Sequence, residues 1–446
     1  MIHCFQIQQK NLVLDVESGA LHQVSDDALE VLKLIEGEES FDENFPLLIN
    51  APHGIVAGIK SLVDAGKLFS KKTVIDIQNH MGNRKPVVKA LCLHMAHECN
   101  LRCKYCFAGD GQYSLYDRGL MPIEVGKKAL DFLVNESGSR RNLEVDFFGG
   151  EPMLNFETVK ELVKYGRSLE EKNNKKFRFT LTTNGVLLTD ESISYINENF
   201  DNVVLSLDGR QHVNDNVRKK TDGSGSYDII LPKIKKLTEA RNHKNYYVRG
   251  TYTRYNMDFA NDVLHMADSG FKNISVEPVV APQEMDYAFK DEDLLVLFKE
   301  YDKLAVELLK REKEGNGILF FHFEMNLDGG PCLAKRVTGC GAGSEYLAVT
   351  PSGKFYPCHQ FVGDEQFQAG DVFTGLVENK YTAEFKDCHV YKKPECSKCF
   401  AKYYCSGGCL ANAYYANDNI LKPDKISCEL MKKRIENALY IFSERV

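Results

Sequence analysis

The sequence predicts an α/β fold built on a parallel sheet, and three observations predict it. From about residue 88, strand-like and helix-like stretches alternate six times in a row. The strand ends carry short polar or glycine-rich runs, which is where parallel sheets place their chemistry. The 14 cysteines are also unevenly placed: three stand together after the first of these strands, and nine fall between Cys332 and Cys428.

The six strands read as VKALCLHMA, LEVDFF, FRFTLTT, NVVLSLD, YYVRGTYT and ISVEPVV. Each is followed by a helical pattern, from PIEVGKKALDFLVNE to the long DEDLLVLFKEYDKLAVELLKREKEG. Such β-α units in series imply parallel pairing, in an open sheet or a partial barrel. Ahead of them, FQIQQKNLVLDVESGALHQVS reads as strands, with turn signals at Gln9-Lys10-Asn11 and Ser18-Gly19. Ser25 and Asp26 can cap a helix that stops at Gly37, and a second amphipathic helix ends near Gly66. A winged-helix-like module over residues 1–85 follows, with a polar linker ending in Pro86. The boundaries expected are 1–85, 86–315 and 316–446.

A chain of 446 residues, 43% hydrophobic and 27% charged, has the apolar mass for two or three domains. Its net charge of -7 argues against a nucleic-acid partner, which favours a basic footprint. No apolar run is long enough to span a bilayer, and MIHCFQIQQK lacks the features of a signal peptide, so a cytoplasmic location is expected. In a reducing compartment, spaced thiols read as metal binding or catalysis before disulfides.

The stretch HECNLRCKYC holds Cys99, Cys103 and Cys106. Iron-sulfur cubes take four thiolates, so three leave one iron open to a substrate or cofactor. A zinc site is the competing reading, with His94 or His97 as the fourth ligand. The next strand ends carry Gly149-Gly150-Glu151-Pro152, Thr182-Thr183-Asn184-Gly185, Ser206-Leu207-Asp208-Gly209 and Glu277-Pro278.

CNLRCKYC and FFGGEP resemble the cysteine and methionine-binding motifs of the radical S-adenosylmethionine enzymes. The resemblance covers residues 88 to about 314 and implies a partial (β/α)6 TIM-like barrel. It implies that Cys99, Cys103 and Cys106 hold a [4Fe-4S] cluster whose open iron chelates S-adenosylmethionine, the source of a 5′-deoxyadenosyl radical. It further implies that Gly149 and Gly150 approach the methionine amino group, that Glu151 complements its charge, and that the Tyr105 backbone meets adenine. Asn184 and Ser206 are candidates for ribose or carboxylate contacts; simple turn chemistry is the other reading.

The later cysteines resemble the SPASM extension of that family, with two auxiliary [4Fe-4S] clusters and so three in all. By position, Cys396, Cys399, Cys405 and Cys428 would hold the second. Cys340, Cys358 and Cys409 would hold the first, with Cys332 as a fourth ligand or an iron left open. A zinc ribbon competes with this reading. Cys4 and Cys92 read as buried thiols and Cys388 as structural.

The whole arrangement resembles the SCIFF maturases, which form thioethers in short cysteine-rich peptides. That resemblance implies a ribosomally made precursor peptide whose leader adds a strand to the N-terminal sheet. It implies a sulfur link from cysteine to the α-carbon of an acceptor residue, threonine being expected, and a flavodoxin or ferredoxin as electron donor. The alternative is an anaerobic sulfatase-maturating enzyme, which makes formylglycine. Those relatives carry an aspartate base where this sequence has His359.

Overall fold

The computed structural model describes residues 1–71, 86–109, 113, 117–325 and 337–445. Cys332 and the linker expected before Pro86 lie outside the described residues.

Three antiparallel strands open the chain: β1 (Ile2–Ile7), β2 (Lys10–Asp15) and β3 (Leu21–Val24). The first turn falls one residue earlier than the sequence suggested. Ile7 pairs with Lys10, so Gln8 and Gln9 make the turn, Gln8 in the left-handed region at φ 54°. Lys10 and Asn11 therefore belong to β2. Ser25 caps the helix Asp26–Leu34 by accepting from the Ala28 N–H, and two aspartates sit in its first turn, where the helix dipole favours them. A second helix spans His53–Asp64. Val13, Leu29, Leu32, Ile35 and Ile59 close a small core of this unit.

The remaining strands are β4 (Ala90–Ala96), β5 (Leu101–Cys103), β6 (Asn142–Gly149), β7 (Lys176–Thr183), β8 (Asn202–Ser206), β9 (Arg218–Lys220), β10 (Tyr246–Tyr252), β11 (Asn273–Pro278), β12 (Leu319–Phe320), β13 (Tyr346–Val349) and β14 (Phe355–Tyr356). Two further short strands pair with each other at residues 370–376. The central sheet runs β12-β11-β10-β8-β7-β6-β4-β13-β14. All pairs from β12 to β13 are parallel; only β13–β14 is antiparallel. The six expected strands are thus present in the expected order. The sheet also continues past residue 315, because β12 and β13 extend its two sides.

The two faces of this sheet differ. Leu143, Val145 and Phe147 of β6, Phe177, Phe179 and Leu181 of β7, and Val203 and Leu205 of β8 join one core with the helices. The alternate positions are polar: Glu144 and Asp146, Arg178 and Thr180, Ser206, Arg249 and Thr251, Ser275 and Glu277. A doubly covered sheet would be apolar on both faces. Here the helices take one face, and the C-terminal ends of the other surround one cavity. Among the described residues, no helix is long and apolar enough to cross a membrane.

The C-terminal helix Lys425–Arg445 packs on the helix Leu294–Lys313 and against β1. It thereby ties the first and last parts of the chain to the central sheet.

Candidate active site

The cysteine run is fixed by a strand pair that the sequence did not reveal. β5 pairs antiparallel with β9, which sets Cys103 opposite Arg218. Cys99, Cys103 and Cys106 all line a cavity of about 230 Å3 at the strand ends, together with Tyr105, Gly149, Gly150, Glu151, Asn184 and Ser206. Every candidate residue of the first site therefore opens on one space. None of its three cysteines is in a disulfide. Burial, then the nearby Glu151, pushes the Cys99 thiol up to about 11. Burial pushes Cys103 up to about 12 against the pull of Arg218. Such thiols keep their protons until a metal displaces them.

The glycines meet a demand of the backbone itself. Gly149 has φ +117°, and a β-carbon there would lie 2.4 Å from the Ala96 carbonyl oxygen. The Gly150 N–H donates to that same oxygen at 2.7 Å, and the Glu151 N–H to the Glu98 carbonyl at 2.9 Å. This run is the strap that holds β6 against the start of the cysteine loop.

Glu151 is more constrained than charge complementarity alone required. Its carboxylate accepts from the Thr183 hydroxyl (2.7 Å), the Met153 N–H (3.0 Å) and the Asn184 N–H (2.8 Å). It joins the ends of β6 and β7. Burial raises its pKa against those hydrogen bonds.

Asn184 does two things. Its Oδ1 accepts from the Val186 N–H at 3.0 Å, a local turn, while its Nδ2 donates to Asn100 Oδ1 at 2.7 Å and approaches Cys99 Sγ at 3.7 Å. The turn reading and the site reading are both satisfied by one side chain. Tyr105 donates its hydroxyl to Asp208 at 2.6 Å and accepts from Arg218 Nη1 at 2.7 Å.

Among the described residues, two buried polar atoms beside the thiols have no protein partner: Arg218 Nε and Asn100 Nδ2. Buried donors are seldom left unpaired. Such donors suit an anionic or carbonyl-bearing ligand.

His94 and His97 are fully buried and hydrogen-bonded to each other at 3.0 Å, with His97 also on the Asp117 carbonyl. Neither lines the cavity. Among the described residues, no three Cys, His, Asp or Glu side chains converge to hold a single metal ion. Free thiols spread around one space suit a cluster, whose irons part its ligands, better than a single zinc with bonds of about 2.3 Å.

The C-terminal cysteines fall into two neighbourhoods. Cys358 feels the charges of Cys409 and Cys340, and Cys428 those of Cys405, Cys396 and Cys399. Cys4, Cys92 and Cys388 are buried in apolar clusters. His359 and Gln360, directly after Cys358, reach the same cavity as the first triplet. Burial, then Arg249, lowers the His359 pKa to about 4, so this ring is neutral. The position where an aspartate base was absent thus holds a buried, neutral ring.

Residues 93–259 match the model of the Radical SAM superfamily. The chain therefore carries a radical SAM domain in its central part. Radical SAM cyclopropyl synthase TigE of Paramaledivibacter caminithermalis is 24% identical over 374 residues, 79% of this chain and 74% of TigE. A cysteine-type anaerobic sulfatase-maturating enzyme of Clostridium novyi is 25% identical over 352 residues, 76% of this chain and 91% of its own. The crystal structure of Streptococcus suis SuiB bound to precursor peptide SuiA matches with a TM-score of 0.55 at 14% identity, over 96% of this chain and 98% of SuiB, which speaks to the fold. A radical SAM domain implies S-adenosylmethionine and a [4Fe-4S] cluster, and the thiols of the cavity, with Arg218 on its wall, fit both.

Proposed function

We propose that this radical SAM enzyme matures a ribosomally made, cysteine-rich peptide by closing a thioether between a cysteine sulfur and the α-carbon of an acceptor residue. The observation that carries this reading is the join at the cavity. The residues that follow Cys358, in one of the two C-terminal thiol groups, form a wall of the same space that the first triplet lines.

When bound, the cluster and S-adenosylmethionine supply a carbon-centred radical able to take a hydrogen atom from an unactivated carbon. The chain's own residues do the rest. Cys99, Cys103 and Cys106 are the ligands proposed for that cluster. Arg218 and Asn100 offer N–H donors to the carboxylate of S-adenosylmethionine, and Glu151 fixes the strap that its amino group meets. Phe107 and Phe148 flank His359 and keep that wall apolar. Cys340, Cys358 and Cys409, and Cys396, Cys399, Cys405 and Cys428, would hold two auxiliary clusters, which would supply a one-electron acceptor for the electron left over. Of the two hydrogens the peptide loses, one leaves as an atom and the thiol's leaves as a proton. The edge strands of the N-terminal sheet are suited to pairing with an extended leader peptide. A flavodoxin or ferredoxin is the electron donor in this reading.

The Clostridium novyi relative keeps the formylglycine reaction as the second reading, with His359 in place of the aspartate. One experiment separates them. The enzyme is produced anaerobically with a candidate cysteine-rich precursor peptide, and the product is alkylated and fragmented in a mass spectrometer. A loss of two hydrogens, sulfur retained and one cysteine shielded from alkylation, is the expected result. Loss of the sulfur itself would favour formylglycine, and an unaltered peptide would overturn the maturase reading.

A further inference from the structure

Two charged side chains on the cavity wall have no part in the chemistry above. Arg249 and Glu277 stand on neighbouring strands, with Arg249 opposite Ser275 and Thr251 opposite Glu277. Both line the cavity. Their charged ends are 4.0 Å apart, at the limit of an ion pair, and Arg249 stays 48% exposed. Neither saturates the other.

Glu277 is held from behind. His322 Nε2 lies 3.3 Å from its Oε1, and the Ser275 hydroxyl 3.4 Å. Behind His322 is Arg434 of the C-terminal helix, which donates to His322 Nδ1 at 3.2 Å and to the Tyr301 hydroxyl at 2.7 Å. A neutral His322 that accepts on Nδ1 carries its proton on Nε2, toward Glu277. Arg434 is buried and its second guanidinium oxygen contact is at 3.9 Å, to Glu277 Oε2. Burial alone would raise the Glu277 carboxyl, but His322, Arg249 and Arg434 outweigh it and hold the group far below the usual carboxylate range. The result is an ionised carboxylate, fixed on its buried side and open toward the cavity, with a guanidinium next to it.

A peptide unit presents one N–H and one C=O. A carboxylate only accepts and a guanidinium only donates. We propose that Arg249 and Glu277 clamp one peptide unit of the substrate's main chain beside the acceptor residue, Glu277 accepting its N–H and Arg249 donating to its C=O. His322 and Arg434 are positioning residues for that clamp. The inference rests on the peptide-maturase reading. S-adenosylmethionine is the competing occupant, since Ser206, a candidate for its ribose or carboxylate, stands opposite Arg249, and its KM is therefore read beside the peptide's.

The test is anaerobic steady-state kinetics with a candidate cysteine-rich precursor peptide, and with versions of it N-methylated at single backbone positions. Arg249→Gln and Glu277→Gln should each raise the peptide KM about ten-fold or more, as lost charge-assisted hydrogen bonds do, with kcat changed less than about three-fold. One N-methyl position should cost the parent enzyme a similar factor and cost Glu277→Gln nothing further. Arg434→Met should raise the peptide KM in the same direction. A peptide KM within two-fold of the parent in both clamp variants, or a rise in the S-adenosylmethionine KM instead, would overturn the clamp. A parent enzyme that leaves the peptide unmodified removes the maturase reading itself, and that outcome is visible before any substitution is made.

Discussion

Lys402→Met should detach the N-terminal unit from the C-terminal thiol loop. Lys402 lies between Cys399 and Cys405, and its Nζ is 2.6 Å from Glu17 Oε1. The two side chains are 2% and 1% exposed. Tyr403 donates to the other Glu17 oxygen at 2.8 Å and meets Tyr391 behind it. Removing the lysine leaves a buried carboxylate with one neutral donor, and breaking such a pair costs about 3–5 kcal/mol. Removing both charges, as Lys402→Met with Glu17→Gln, should recover most of that, because buried pairs are often replaced at little net cost. A chain of this size does not unfold in one step, so a single global stability is the wrong readout. Amide hydrogen exchange is local. The amides of Val16 and Ser18 on one side, and of Tyr404, Cys405 and Ser406 on the other, are hydrogen-bonded and flank the pair. In Lys402→Met they should exchange faster by roughly two to three and a half decades, at 1.4 kcal/mol per decade. Exchange within about two-fold of the parent, or a double variant as loose as the single one, would refute the view that this ion pair fastens the unit.

Other outcomes are as specific. Cys99→Ser should lose the iron of one cluster and all 5′-deoxyadenosine production, read by iron and sulfide analysis and by chromatography, while the rest of the iron stays. Gly149→Ala forces a β-carbon to 2.4 Å from the Ala96 oxygen at φ +117°, so the strap at the cysteine loop should fail and cluster loading should fall with it. Asp146 is raised to about 6 by burial and by Glu144 nearby. Its folded pKa lies above its unfolded one, so the native state is favoured with the proton on, and the penalty develops as pH rises from about 4 through about 6. Asp146→Asn should therefore gain on the order of 2–3 kcal/mol over the parent above that range and little below it, seen as a widening gap in thermal midpoints. His3 sits 3.0 Å from both Glu36 and Glu436 and stacks on Phe400. Burial lowers its pKa, but the two glutamates outweigh that and raise it. Its stabilising charge is complete below about pH 6.5 and fades as pH climbs through the raised value, so the protection of the Cys4 amide relative to its intrinsic exchange rate, given that it donates to Glu36, should fall there and not change with pH in His3→Gln.

The β-α alternation was legible because each strand carries its apolar residues at every second position and each helix at three- and four-residue steps. The triplet of cysteines and the glycine run were legible because they are contiguous. Arg218 was not. It lies beyond an unremarked helix, and only the β5–β9 pairing brings it opposite Cys103. Glu277 was legible as a strand end, but Arg249 was not singled out, since a cavity wall and a surface give a strand the same alternation. Glu151 and Asn184 were found, but their hydrogen bonds to Thr183 and Asn100 depend on how β4, β6 and β7 end side by side.

The contacts between the ends of the chain were the least legible, and they bear most on function. Glu17 and Lys402 are 385 residues apart, and His3 and Glu436 are 433 apart. Each alone reads as an ordinary surface charge. Together with the stacking of His3 on Phe400, they set the N-terminal sheet directly on the loop that runs from Cys396 to Cys405. In the proposed reading, the unit that holds the leader peptide and the loop that holds an auxiliary cluster are then one packed body. A leader that strains β1 would be felt at Phe400 and Lys402 before it was felt at the cavity. Substitutions at Glu17 or His3 should therefore disturb retention of the cluster at Cys396, Cys399, Cys405 and Cys428 even in the absence of peptide, whereas a leader-binding unit joined only by a flexible tether would leave that cluster untouched.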